Sequence, residues 1–263
     1  MNNLDDDFFG RVGHDLRGEL ATMLAGVQYL LRYDKRIEPQ HRDMLERVRG
    51  AGDRLTRLLD EFDRAIWLHQ DPRRQLSLAD CDPVTLVQDL AARLDQAAAA
   101  RSVRLLVDSE LREGEVALHA DVELLLIALD YVAGFAVFRS HASAVRVRLA
   151  RGAAGAPVVI ITDEAGSVAP EVLERLFEPF VERMALPMDT PPGPGGAAPP
   201  PRRRERLGLG LAIARGILEA HGGGATAAFV PAAGEGAASG QAAGLRFACT
   251  LGSFPRTGQQ PGR

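Results

Sequence analysis

The stretch Arg206-Leu207-Gly208-Leu209-Gly210-Leu211-Ala212-Ile213-Ala214-Arg215-Gly216-Ile217-Leu218-Glu219-Ala220-His221-Gly222-Gly223 places two closely spaced glycines at the start of a helix and two more at its end. Glycines at a helix start leave backbone N–H groups open, and such a cradle suits a phosphate. Taken alone, a Gly-x-Gly favours a glycine-tolerant helix start with no ligand. The segments around it give it a setting. Short apolar or alternating runs at 103–107, 144–149, 157–162 and 245–251 predict strands, and 83–100, 121–140 and 209–221 predict helices. The pattern is α+β, an α/β sandwich with helices laid on one face of a sheet. Between 184 and 206 the chain turns to Pro, Gly, Ala and Arg. That composition buries too little apolar surface to order itself, so a disordered lid is expected.

Further toward the N-terminus the period changes. Phe9, Val12, Leu16, Leu20, Met23, Val27 and Leu30 recur at helical spacing, Glu38-Pro39 interrupts, and Leu45, Val48, Leu55, Leu58, Leu59, Phe62 and Ile66 form a second stripe. The two segments should fold back as an antiparallel helical hairpin. One such hairpin cannot hide both stripes, whereas two copies can bury them in a four-helix bundle, so a homodimer is expected. Asp71-Pro72-Arg73-Arg74 reads as a linker. The expected organisation is a helical hairpin over 1–70, the sandwich domain over 76–252 and a flexible tail over 253–263.

Composition excludes several classes. The 263 residues carry Lys+Arg 31 against Asp+Glu 35, a net charge of -4, with no broad basic footprint for nucleic acid. Arg202-Arg203-Arg204 is the local exception. No run is long enough to cross a bilayer, and Met1-Asn2-Asn3-Leu4-Asp5-Asp6-Asp7 lacks the basic and apolar regions of a signal peptide. A cytoplasmic protein without a membrane partner is expected. Cys81 and Cys249 read as reduced, buried thiols, and His41, His69, His119, His141 and His221 show no ligand spacing, so no metal site of the zinc type is expected.

The order of these segments resembles the transmitter core of a bacterial histidine kinase: a dimerising histidine phosphotransfer hairpin followed by a Bergerat-type ATP-binding domain. The resemblance spans roughly Phe8 to Gly252. His14-Asp15-Leu16-Arg17-Gly18-Glu19-Leu20 is similar to the family's phosphoacceptor box. There the resemblance implies that His14 is the nucleophile and that Asp15 holds its tautomer. The periodicity agrees, since His14 falls off the apolar stripe set by Val12 and Leu16 and should face solvent. Gly18 stands where many members carry the Thr or Asn that orients water, and Glu19 replaces a proline. Weak or absent phosphatase activity and a straighter, looser helix are therefore expected.

The nucleotide side resembles the family less evenly. Asp163 in Ile161-Thr162-Asp163-Glu164-Ala165-Gly166-Ser167 keeps the aspartate that the family uses on the adenine amino group, but Ala165 and Ser167 replace its two glycines. Leu173-Glu174-Arg175-Leu176-Phe177-Glu178-Pro179-Phe180 matches the phenylalanine-rich box. Gly208 and Gly210 belong to the glycine run over the phosphates, whose first glycine is replaced by Arg206. The asparagines expected on the helix over 121–140 align with Tyr131 and Phe135, and a phenyl ring offers Mg²⁺ no oxygen. A different register that recruits Asp130 or Glu123 to the metal is the alternative, at the cost of misaligning the helix's apolar face.

The resemblance implies ATP and Mg²⁺ as cofactors, a response-regulator receiver domain as partner, and an upstream sensor or other partner for input. Three functions stay open at this point. One is an ATP-dependent autokinase that phosphorylates His14 and passes the group to a regulator aspartate. Another is a phosphotransfer protein whose Bergerat-like domain binds no ATP. The third is an adaptor without phosphoryl chemistry.

Overall fold

The structure is a computed structural model that describes residues 3–70, 72–140, 143–152, 155–164, 168–185, 208–231 and 242–255. The chain divides into two compact units, Met1–Gln70 and Asp71–Arg263.

The first unit is a hairpin of two helices, α1 (Asn3–Tyr33) and α2 (Pro39–His69). Pro39 opens α2, where a missing N–H breaks no helical bond. The turn is closed by the Arg36 N–H, which donates to Asp34 Oδ1 at 2.9 Å, and by the Arg42 guanidinium, which donates to the Leu31 carbonyl at 3.0 Å. Gly52 lets the helices approach: a Cβ there would lie 2.5 Å from Leu24 Cδ2. Leu20 is buried, whereas Val12, Leu16, Met23, Leu30, Val48, Leu55 and Phe62 are exposed. Two cylinders cover only the line where they meet, so most of the apolar stripe stays open on one hairpin.

The second unit is a two-layer α/β sandwich. Its main sheet has the strand order β2-β4-β5-β7-β6, built from β2 (Arg104–Ser109), β4 (Ala144–Arg151), β5 (Pro157–Asp163), β6 (Gly224–Pro231) and β7 (Ala242–Thr250). Only the β2–β4 pair is parallel; the remaining pairs are antiparallel. A small ribbon joins β1 (Ala79–Cys81) to β3 (Leu118–Ala120). Helices α3 (Pro83–Ala99), α4 (Val122–Arg139) and α6 (Gly210–Ala220) cover the sheet, with α4 between the other two. A short α5 (Pro170–Glu174) contacts both β6 and a 3-10 turn, Val181–Ala185. Strands β1, β3 and β6 are additions to the expected set.

Strand parity explains the layering. Val145, Val147 and Leu149 point into the helices, while Arg146 and Arg148 face water and pair with Asp108 and Glu110. On β5, Val159, Ile161 and Asp163 share the buried parity. Helix α4 is apolar almost all round and is correspondingly buried on several sides. Its N-terminus is capped by Asp121, whose Oδ1 accepts the Leu124 N–H and whose Oδ2 accepts the Ser77 N–H. Among the described residues no helix is long and apolar enough to cross a membrane.

Of the lid expected over 184–206, Met184 and Ala185 end the 3-10 turn and the rest lies outside the described residues, as do Ala165, Gly166 and Ser167. At the expected tail, the Phe254 N–H donates to the His119 carbonyl at 2.9 Å and its ring meets His221 edge-on at 6.2 Å. The chain is thus held in place as far as Phe254, and residues from 256 onward are outside the described set.

Candidate functional site

On the hairpin, the His14 side chain is 87% exposed. Its Nδ1 lies 3.3 Å from Asp15 Oδ1, which favours the tautomer that donates from Nδ1 and leaves the Nε2 lone pair open to solvent. Arg17 pairs with Asp60 at 3.5 Å and with Asp63, tying α1 to α2 beside this histidine. Gly13 lies against Asp63, with an added Cβ only 2.9 Å from its Oδ1, so α2 comes close on that side. Gly18 is open, with nothing within 4 Å of an added Cβ.

The sandwich brings Asp163, Gly208, Gly210 and Phe135 into one unit, together with two residues that the sequence reading did not identify. The Arg139 Nε donates to Asp163 Oδ2 at 3.1 Å, and both side chains are buried. The Leu245 N–H donates to Asp163 Oδ1 at 3.3 Å, so both carboxylate oxygens are engaged. Arg139 Nη1 also donates to the Ala185 carbonyl at 2.8 Å. Its position in the last turn of a buried helix makes this pairing necessary, because a buried guanidinium without partners would be costly.

At the glycine loop, the Leu211 N–H donates to Glu182 Oε2 at 2.7 Å, and Glu182 is buried. This N–H belongs to the first turn of α6, where donors have no helical acceptor. Gly208 has φ +87, a conformation that favours glycine, and the Phe180 N–H donates to its carbonyl at 2.6 Å. An added Cβ at Gly210 would lie 2.8 Å from Tyr131 Cδ1. The Tyr131 ring thus packs against Gly210. Phe135 is fully buried and meets Phe247 edge-on at 5.9 Å; Phe177 meets the same ring at 6.5 Å. At the other end of α6, the Asp121 N–H donates to His221 Nε2 at 3.2 Å and His221 Nδ1 donates to the Ile217 carbonyl at 2.8 Å. Burial holds the His221 pKa below its ordinary value.

These residues do not fit ATP with Mg²⁺ as the resemblance would place them. The carboxylate that the resemblance assigns to the adenine amine already holds an arginine, Phe135, which the resemblance sets at the metal position, is buried in the core, and a carboxylate occupies an N–H at the helix start. Among the described residues, no three His, Cys, Asp or Glu side chains come together as a metal site. Cys249 is buried, its thiol pushed up to about 12, and Cys81 is half-buried with its thiol also raised by burial. A hint of Arg139 was present in the sequence, as the sole cation of the helix Val122–Arg139. Glu182 had no local signal.

Residues 118–252 match the family of histidine kinase-, DNA gyrase B- and HSP90-like ATPases, and the chain belongs to that family. Together the two units have the fold of a histidine kinase transmitter core. The chain is 28% identical over 220 residues to the sensor histidine kinase RppB of Synechocystis sp. (strain ATCC 27184 / PCC 6803 / Kazusa), covering 83% of this chain and 45% of the relative. It is 27% identical over 221 residues to the sensor protein IrlS of Burkholderia pseudomallei (strain K96243), covering 82% and 42%. The chain thus spans less than half the length of these relatives. Among solved structures, full-length ShkA in complex with AMPPNP is similar with a TM-score of 0.67 and 21% identity, over 95% of this chain and 47% of that one. The Acinetobacter baumannii histidine kinase AdeS is similar with a TM-score of 0.52 and 17% identity, over 90% and 97%.

Proposed function

We propose that the chain is a histidine phosphotransfer protein of a two-component phosphorelay, in which His14 carries a phosphoryl group between receiver-domain aspartates. The observation that supports this most is the contrast between its two units: His14 presents an open Nε2 on an exposed helix face, while Asp163 is buried against Arg139. In the transfer, the Nε2 lone pair attacks phosphorus, a P–N bond forms, and the P–O bond to the regulator aspartate breaks with release of its carboxylate. The Nδ1 proton stays on the ring, where Asp15 stabilises the positive charge that develops. In the reverse direction a receiver aspartate takes the group.

The exposed stripe of Val12, Leu16, Met23, Leu30, Val48, Leu55 and Phe62 supports pairing of the hairpin with a second copy. In this reading residues 1–70 dimerise and carry the phosphoryl group, 76–252 form the Bergerat-type scaffold, and input reaches the chain through a sensor or upstream partner in the cytoplasm. A second reading, ATP-dependent autophosphorylation of His14, draws on membership of an ATPase family and on the Gly208–Gly210 run. It would require Asp163, Gly208 and Gly210 to turn toward nucleotide and another residue to take the metal.

The two readings separate by the source of label. Purified protein and His14→Ala are incubated in parallel with γ-radiolabelled ATP and Mg²⁺, and with a receiver domain carrying radiolabelled phosphoaspartate. Acid-labile label acquired from the receiver alone, and lost in His14→Ala, is the expected result. Label acquired from ATP would establish the autokinase, and no label from either donor would leave the adaptor.

A further inference from the structure

The segment from Phe180 to Ala185 is pinned at both ends. Glu182 reaches the start of α6, where its Oε2 accepts the Leu211 N–H at 2.7 Å, and the Ala185 carbonyl accepts Arg139 Nη1 at 2.8 Å. Arg139 continues to Asp163 at the end of β5. The Phe180 backbone, itself at φ +70, closes on the Gly208 carbonyl, and the Arg183 stem fills the space beside Gly208, where a Cβ would lie 2.8 Å from its Cγ. One continuous path of polar contacts therefore links β5, α4, the 3-10 turn and α6.

A carboxylate and a guanidinium at under a tenth exposure are costly unless each is matched by opposite charge or donors. Arg139 has Asp163. Glu182 has the N-terminus of an eleven-residue helix, whose unsatisfied N–H groups and positive dipole end favour an anion. The resemblance places a neutral amine donor at the first position and an anion at the second. Here the chain's own groups have the same polarity at both places.

We infer that Arg139 and Glu182 occupy from within the two positions at which the resemblance places nucleotide: Arg139 satisfies the Asp163 carboxylate, and Glu182 takes the place of phosphate at the start of α6. This rests on the phosphotransfer reading only in giving the sandwich a scaffold role. No step involves His14, so failure here leaves the labelling result above to judge that reading separately.

The test uses the full-length protein, Glu182→Ala and Glu182→Gln. Thermal unfolding is followed with buffer alone, sodium pyrophosphate, Mg-ATP, and sodium chloride at matched ionic strength. The wild type should melt at the same temperature in all four. Glu182→Ala should melt lower and recover part of the loss in pyrophosphate but not in chloride, because an external anion takes the vacated position. Glu182→Gln keeps an oxygen and the side-chain volume, so it keeps the test usable if the alanine variant fails to fold. In it the Leu211 amide proton, observed by NMR, should move upfield as the bond loses its charge. A wild type stabilised by pyrophosphate or Mg-ATP overturns the inference. So does a Leu211 amide that does not move in Glu182→Gln, or an alanine variant whose loss pyrophosphate leaves untouched.

Discussion

Replacing Arg139 by methionine keeps most of the side chain's length and removes its charge, so it isolates the ion pair with Asp163. The pair is nearly inaccessible, with side-chain exposures of 3% and 0%. Breaking a buried pair by removing one partner costs about 3–5 kcal/mol, because the other charge stays behind uncompensated. For a unit of this size each kcal/mol moves the midpoint by about 2–4 °C, so a fall on the order of 6–20 °C is expected for Arg139→Met. The double variant Arg139→Met, Asp163→Asn removes both charges while the Asn oxygen still accepts the Leu245 N–H. It should recover a large part of the loss, giving a coupling of about 2 kcal/mol or more. The assay must follow the sandwich itself. The single tryptophan, Trp67, lies on α2 of the hairpin, so its fluorescence reports the wrong unit. Calorimetry or backbone circular dichroism is appropriate. A coupling within about 0.5 kcal/mol of zero would refute the reasoning, since independent sites add to that accuracy.

Glycine substitutions should divide by what surrounds them. Gly18→Ala adds a Cβ in open space on a helix and should stabilise the hairpin by about 0.5–1 kcal/mol, read as a higher urea midpoint. Gly210→Ala drives a methyl toward Tyr131 and should cost about 1–3 kcal/mol in the melting of the sandwich. An unchanged midpoint would mean that Tyr131 moves freely. His221 supplies a pH signature: its folded pKa is lowered by burial, so its neutral form stabilises the fold above the ordinary histidine value. That contribution should fade as pH falls through the lowered pKa, when the ring can no longer accept the Asp121 N–H. His221→Gln should be less stable than the wild type near neutral pH and show a flatter loss of stability on acidification. Parallel slopes for the two proteins would assign the acid sensitivity elsewhere.

The periods in the sequence located what depends on local pattern. The largely apolar run of α4 and the alternation of β5 translate directly into buried faces, whereas the helical spacing of the hairpin stripe marks a face that one hairpin leaves mostly exposed. The same alternation places Asp163 inward, on the parity of Val159 and Ile161. Strand β6 escaped because Gly-Ala-Thr-Ala-Ala carries little apolar contrast, and its place is set by pairing with β7. The ribbon strands β1 and β3 are three residues each, too short to display a period.

Arg139 and Glu182 were illegible for a different reason. Their partners, Asp163 and Leu211, lie 24 and 29 residues away in sequence, on other elements. A spacing rule cannot join residues that only the sheet and the helix layer bring together. The resemblance sets Phe135 where the family carries a metal ligand, but that placement does not distinguish a site left empty from one filled from within. The two alternatives differ physically. An empty pocket would leave Asp163 as a buried charge and the Leu211 N–H as an orphan donor, each a standing penalty. With Arg139 and Glu182 in place, both groups are satisfied by the chain itself. Placing an asparagine at position 135 alone should therefore not confer a response to nucleotide: with Arg139 and Glu182 still in place, Phe135→Asn should show no Mg-ATP-dependent rise in melting temperature. A clear rise in that single variant would show that the internal pair yields readily to ligand, and the pocket would have to be regarded as competent.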